Sequence, residues 1–157
     1  MSRDKKHDLV DELLHLARAH EAANDAFDEV AREKLGINRT DLRCLNIVDN
    51  SGPMTAGRLA ELSGLTTAAV TSVLDRLERA GYARRVRDQP DRRQVMVEVT
   101  PLLAERATPI WGPLGEEARS TLSRMSAEEL RALIDFYRLG IELNERHIER
   151  VRHLNIE

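Results

Sequence analysis

The chain has 157 residues, enough for one compact domain or a small domain with an added helical scaffold. Aromatic residues make up 3% of it, hydrophobic residues 41% and charged residues 32%, which suits helices that bury narrow aliphatic faces, many of them against a second subunit. A single cysteine, Cys44, excludes an internal disulfide and zinc-ribbon spacing. No run approaches the ~18 apolar residues of a membrane span, and the polar start MSRDKKHD is no signal peptide, so a cytoplasmic protein without a membrane partner is expected.

From about Lys6 to Leu35, apolar residues recur at helical spacing (Leu9, Leu13, Leu16, Ala17, Ala23, Phe27, Val30, Ala31) with no Gly or Pro before Gly36. Asn38, with Asp41 three residues on, opens a second helix carrying Leu42, Leu45 and Val48 on one side, and Asn50-Ser51-Gly52-Pro53 ends it. Thr55 caps a short third helix with Leu59, Ala60 and Leu62 inward, stopped by Gly64. Thr66 caps the next, which runs to about Ala80 with Val70, Val73, Leu74 and Leu77 as its apolar face.

Gly81 breaks that helix. Ala83 to Val86 read as a strand, Asp88-Gln89-Pro90-Asp91 as a turn, and Val95, Val97 and Val99 alternate as the returning strand. Thr100-Pro101 starts a fifth helix, which Pro109, Gly112 and Pro113 are expected to kink or divide. Ser126, with Glu128 and Glu129, opens a last helix through Leu130, Leu133, Ile134, Phe136, Tyr137, Ile141 and Ile148.

Helix, glycine turn, helix and an arginine-tipped two-stranded hairpin are the order of a winged helix-turn-helix. The expected fold is mainly α with a minor β part. Residues 36–100 form the DNA-binding domain, and residues 1–35 and 101–157 form a helical region that packs against a second copy. Charge is distributed accordingly. Residues 1–54 carry 8 basic and 11 acidic groups, 55–100 carry 8 and 6, and 101–157 carry 8 and 10. Seven arginines face three acids within 76–93, so a basic module sits in an acidic scaffold.

The stretch Leu59-Ala60, Gly64-Leu65, Val70-Thr71, Leu74-Asp75-Arg76-Leu77-Glu78, Gly81-Tyr82, then Asp88-Gln89-Pro90-Asp91-Arg92-Arg93 and Val99-Thr100, resembles the MarR family of bacterial regulators. The wing signature D-x-x-D-R-R followed by V-T is its most specific part. Outside residues 40–101 the likeness rests on helix layout. The resemblance implies a triangular homodimer with two wing hairpins. It also implies binding to an inverted repeat in double-stranded DNA, usually as a repressor, and release when a small molecule or an oxidant acts on the dimer.

On the proposed recognition helix, Thr66 to Arg79, helical geometry turns Thr67, Ala68, Thr71, Ser72, Asp75 and Arg76 outward. Short hydroxyl side chains let a helix approach base edges, and the free N–H groups of the first turn, capped by Thr66, favour a phosphate. Arg76 is the first choice for a guanine or phosphate contact. Asp75 is assigned to orienting Arg76 or Arg79, since a carboxylate repels phosphate.

By family analogy one wing-tip arginine reaches the minor groove while the other pairs with Asp88 or Asp91; Arg93 is taken as the reader and Arg92 as the structural one, on a nearly even choice. Arg85 and Arg87 share a strand face opposite Arg84. They are assigned to DNA beside an equally weighted reading as a charged strand edge. Arg39, Arg43 and Arg58 are read first as solvated surface and second as phosphate contacts.

For sensing, the signals are weak. Cys44 lies beside an apolar stripe and reads as a small buried hydrophobe, and the peroxide-sensing branch of the family carries its cysteine in the first helix, where this chain has none. His7, His15, His20, His147 and His153 form no metal-binding spacing and read as surface residues. Trp111, in a Pro-Ile-Trp-Gly-Pro segment, is first a core or dimer anchor. With His15 it is also the candidate lining of an effector pocket. No nucleophile–base cluster, phosphate loop, metal motif or cofactor motif points to an enzyme. The rival to a DNA-binding regulator is a winged helix that contacts proteins alone, which would present a more apolar and less basic face.

Overall fold

Thirty-three residues without glycine or proline, Arg3–Leu35, form helix α1 of the computed structural model, which describes residues 3–87 and 94–155. Asn38 then caps α2 (Arg39–Ser51) by accepting from the Asp41 N–H at 2.9 Å, and the Asp41 carboxylate answers to the Asn38 N–H, closing a capping box. After α2 come β1 (Met54–Thr55), α3 (Ala56–Ser63), α4 (Thr67–Arg79), β2 (Ala83–Arg87), β3 (Val95–Val99), α5 (Pro101–Leu122) and α6 (Ala127–Arg152). The chain resolves into two compact units, Met1–Ile110 and Trp111–Glu157.

In the first unit α2, α3 and α4 pack pairwise; α2 and α3 also touch β3, and α4 touches β2. Leu45, Leu59, Val70, Val73, Leu74, Leu77 and Val97 fill the core almost without exposure, each contributing about 1.5–3 kcal/mol through its burial. Between α3 and α4, Gly64 takes a left-handed conformation at φ 67, which lets its N–H reach back to the carbonyl of Glu61 within the short turn.

The sequence implies a two-stranded wing, but the sheet has three antiparallel strands in the order β1-β3-β2. Met54 pairs with Val97 and Thr55 with Met96, whereas β2 pairs with β3 from Ala83–Val99 to Arg87–Val95. A two-residue strand has no alternation of its own, and only its partner defines it. Thr55 also accepts from the Arg58 N–H as the cap of α3, so strand and helix share one residue. Leu62, expected to point inward, is 40% exposed; Ser63 is the residue buried there, its hydroxyl donating to the Ala60 carbonyl.

Helix α5 is not divided. It stays helical from Pro101 through Pro109, Gly112 and Pro113 to Leu122. The bonds lost at the two prolines are only those to the carbonyls of Glu105 and Pro109, and the residues around them carry the helix through. In the second unit Ser126 and Glu129 close a capping box on α6. None of the described residues from 111 to 155 is buried, and Leu114, Leu122, Ile134, Tyr137, Ile141 and Ile148 stand exposed. Among the described residues no helix is long and apolar enough to cross a membrane.

Candidate nucleic-acid interface

Helix α4 presents two chemically different sides. Val70, Val73, Leu74 and Leu77 lock one side into the core, leaving Thr66, Thr67, Ala68, Thr71, Ser72 and Asp75 exposed on the other. Thr66 caps the helix, its hydroxyl accepting from the Ala69 N–H at 3.2 Å. The Thr71 hydroxyl donates to the Thr67 carbonyl at 3.0 Å and that of Ser72 to the Ala68 carbonyl at 3.2 Å. With their protons turned back to the helix, these oxygens present lone pairs outward, and only small groups stand between the backbone and an approaching surface.

Arg76 departs from the outward orientation expected of it. It turns toward α2, where Nε lies 3.1 Å from both Asp41 oxygens and Nη2 lies 2.5 Å from Oδ1. Asp41 is 2% exposed, and the Arg76 side chain 38%. The hydrogen bonds it donates to Asp41 raise the guanidinium pKa above its ordinary value. The spacing of α2 carried a signal for this: Asp41 stands at the head of the row Asp41, Leu45, Val48, so its carboxylate falls on the buried side of the helix and needs a partner there.

Arg85 is likewise held. Its guanidinium reaches Asp75 at 2.8 Å and Glu78, and its backbone N–H donates to Glu78 at 2.8 Å, so β2 is fastened to the last turns of α4. Burial lowers its pKa, but the bond to Asp75 and the charges of Glu78 and Asp75 outweigh that and leave it raised. Asp75 thus has the structural part assigned to it with a different partner; toward Arg79 it offers only its carbonyl, which accepts from Nε at 3.1 Å.

Arg84 pairs with Glu98 across the strands at 2.6 Å, Arg58 with Glu61 at 2.9 Å and Arg39 with Asp25 at 3.2 Å. Arg87 and Arg43 are exposed and have no ion-pair partner among the described residues. Asp88, Asp91, Arg92 and Arg93, the residues of the wing tip, lie outside the described residues.

The proposed sensing residues belong to different units: His15 is exposed on α1 in the first, and Trp111 is half-buried at the start of the second. An open groove of about 420 Å³ in the second unit is lined by Gly115, Ala118, Arg119, Leu122, Ser123 and Leu130, without Trp111. Cys44 is fully buried and its thiol pKa is pushed up, chiefly by burial. Among the described residues no cluster of His, Cys, Asp or Glu is arranged to hold a metal ion.

The MarR family model matches residues 37–95, from the cap of α2 to the start of β3. The HTH-type transcriptional regulator YcgE of Bacillus subtilis (strain 168), itself described as uncharacterized, is 31% identical over 151 residues, which is 96% of this chain and 98% of that one. The crystal structure of transcriptional regulator PA4135 superposes with a TM-score of 0.57 at 28% identity, over 85% of this chain and 95% of that one. NadR, solved in complex with 4-hydroxyphenylacetate, shares the fold with a TM-score of 0.59 at 23% identity, over 83% of this chain and 89% of that one.

Proposed function

The chain belongs to the MarR family of transcriptional regulators, which are not enzymes, and from that premise we propose that it is a homodimeric, sequence-specific repressor. It binds an inverted-repeat operator in the cytoplasm and releases it when a small molecule acts on the dimer. Residues 36–100 read DNA, and residues 1–35 and 101–157 join the two copies.

The observation that carries this reading is the face of α4. Thr66, Thr67, Ala68, Thr71 and Ser72 are exposed together, all small and all but Ala68 polar, at the N-terminal end of a helix otherwise clamped in the core. A helix entering a major groove needs such close approach at its N-terminal residues. Thr71 and Ser72 lie along the base edges, Arg87 and the wing-tip Arg93 contact the backbone or minor groove, and Arg92 supports the tip with Asp88 and Asp91. Dimerisation is supported by α6, none of whose residues is buried, and by the exposed Leu9, Leu13 and Leu16 of α1. A two-fold dimer places two recognition helices on two half-sites, and an effector need only favour a different spacing between them.

The test is binding of the purified protein to the DNA upstream of its own coding sequence at two salt concentrations, beside Thr71→Ala and Arg93→Ala. Saturable, salt-sensitive binding that both variants lose is expected. Binding no tighter than to random duplex, in a genome-wide selection of bound fragments as well, would overturn the reading in favour of a winged helix used on protein partners.

A further inference from the structure

We propose that Asp41 is a positioning residue for DNA recognition, acting through Arg76 to set where the reading face of α4 stands. This rests on α4 being the reading helix. Asp41 sits on α2 and not on the reading helix, yet its one buried carboxylate does two tasks. Oδ2 accepts from the Asn38 N–H at 3.4 Å and so closes the N-terminus of α2, while both oxygens take the Nε and Nη2 protons of Arg76. The first turn of α2 and the third turn of α4 are thereby joined at a single charged group.

Arg76 lies one helical turn beyond Ser72 and five residues beyond Thr71, on the same rigid helix. A displacement of its anchor therefore moves the exposed hydroxyls by a comparable distance. Asp41 already occupies the Nε/Nη2 fork of Arg76, which leaves only the Nη1/Nη2 end of the guanidinium for another acceptor. From the opposite side Arg85 ties α4 to β2 through Asp75 and Glu78. The recognition helix is thus held between α2 and the wing by two arginines, and both act on placement.

The experiment compares wild type, Asp41→Asn, Arg76→Lys and the double variant for binding to an operator duplex and to a random duplex across a salt series, with thermal melts by circular dichroism. Asp41→Asn keeps an acceptor for the cap but removes the charge, and Arg76→Lys keeps the charge but loses the bidentate fork, so neither strands an unpaired carboxylate in the core. Each single variant is expected to weaken operator binding about tenfold while leaving random-duplex binding and the salt slope unchanged, and the double variant is expected to be no worse than either single one, because both act through one contact.

Retention of operator affinity in Arg76→Lys, or in Asp41→Asn, overturns the proposal, as does an equal weakening of operator and random-duplex binding in Arg76→Lys, the mark of a phosphate contact rather than of placement. A wild type with no saturable operator binding removes the DNA-reading function itself. A wild type that binds beside unaffected variants removes only the positioning role.

Discussion

The Tyr82 hydroxyl donates to the carbonyl of Leu35 across 3.0 Å, and both residues are buried. Leu35 is the last residue of α1, where four carbonyls have no helical partner. The N–H groups of Gly36 and Ile37 serve Glu33 and Arg32, and Tyr82, arriving from the turn that leads into β2, serves Leu35. One side chain thus fixes the end of the long helix to the sheet side of the winged module. Tyr82→Phe keeps the ring and orphans the carbonyl, so unfolding in urea should show a loss of about 1–3 kcal/mol, the cost of a buried unpaired group. An unchanged midpoint would mean that water replaces the hydroxyl.

Thr66 separates capping from reading. Its hydroxyl is spent on the Ala69 N–H, so Thr66→Ala should cost about 1 kcal/mol of stability and loosen the first turn of α4. Thr66→Ser restores the acceptor and should melt like wild type. If the Thr66 methyl group also meets a base, as the DNA-binding assignment has it, Thr66→Ser will still bind operator more weakly than wild type in an anisotropy titration. Equal binding of wild type and Thr66→Ser limits Thr66 to capping.

The contrast between what periodicity revealed and what it did not follows from where each interaction lives. The caps Asn38, Thr55, Thr66 and Ser126 and the apolar stripe Val70, Val73, Leu74, Leu77 are local, written at fixed offsets within one helix, and the structure has them where the spacing puts them. Strand β1 was not legible because two residues gain their conformation from β3, about forty positions away. The direction of Arg76 was hidden for the same reason: its partner Asp41 lies 35 residues upstream. Arg85 was legible only as a charge on a strand face, since nothing local tells a solvated arginine from one returning to Glu78 and Asp75. The continuity of α5 through two prolines shows the reverse case, a strong local signal outvoted by the turns on either side of it.

Gly81 makes the turn from α4 into β2 possible in two ways. Its φ of 79 is unfavourable for any side chain, and a Cβ placed there would meet Leu102 Cδ2 at 3.0 Å. Its carbonyl also accepts from the Thr100 hydroxyl at 2.5 Å, which ties the turn to the end of β3. Gly81→Ala should therefore lower stability by about 1–2 kcal/mol from the backbone alone, with more if Leu102 cannot move. A thermal melt equal to wild type would show that the turn relaxes to another conformation.

Cys44 should be inert in the native protein. Burial is the largest influence on its thiol and raises its pKa above the ordinary 9.0; Asp41 adds to this, while Arg43 and Arg76 oppose it. Since the folded state favours the neutral thiol, its contribution to stability is complete below pH 9.0 and is lost as pH climbs through the raised folded value. Labelling with a thiol reagent at pH 8 should be slow and should follow the unfolding transition in denaturant. Fast labelling at zero denaturant would reveal local opening of α2 and would overturn the reading of Cys44 as an inert buried thiol.

Along α6, Leu130, Ile134, Tyr137, Ile141, Asn144, Ile148 and Val151 recur at alternating spacings of four and three. That is a heptad seam, and Ile134, Tyr137, Ile141, Ile148 and Val151 are each about half exposed in the chain itself. A seam of this regularity left in water is costly, at roughly 25 cal/mol per Å² of apolar surface, and a second copy is the partner that the proposed dimer supplies. Ile141→Asp puts a charge at the middle of the seam without touching anything buried within the subunit. Helix content by circular dichroism should stay near that of wild type, while light scattering after gel filtration should report a monomer. Operator affinity should fall steeply with it, since a monomer engages one half-site where a dimer engages two. Ile141→Asp that remains dimeric and binds operator normally would move the dimer interface off α6 and leave the seam to some other partner.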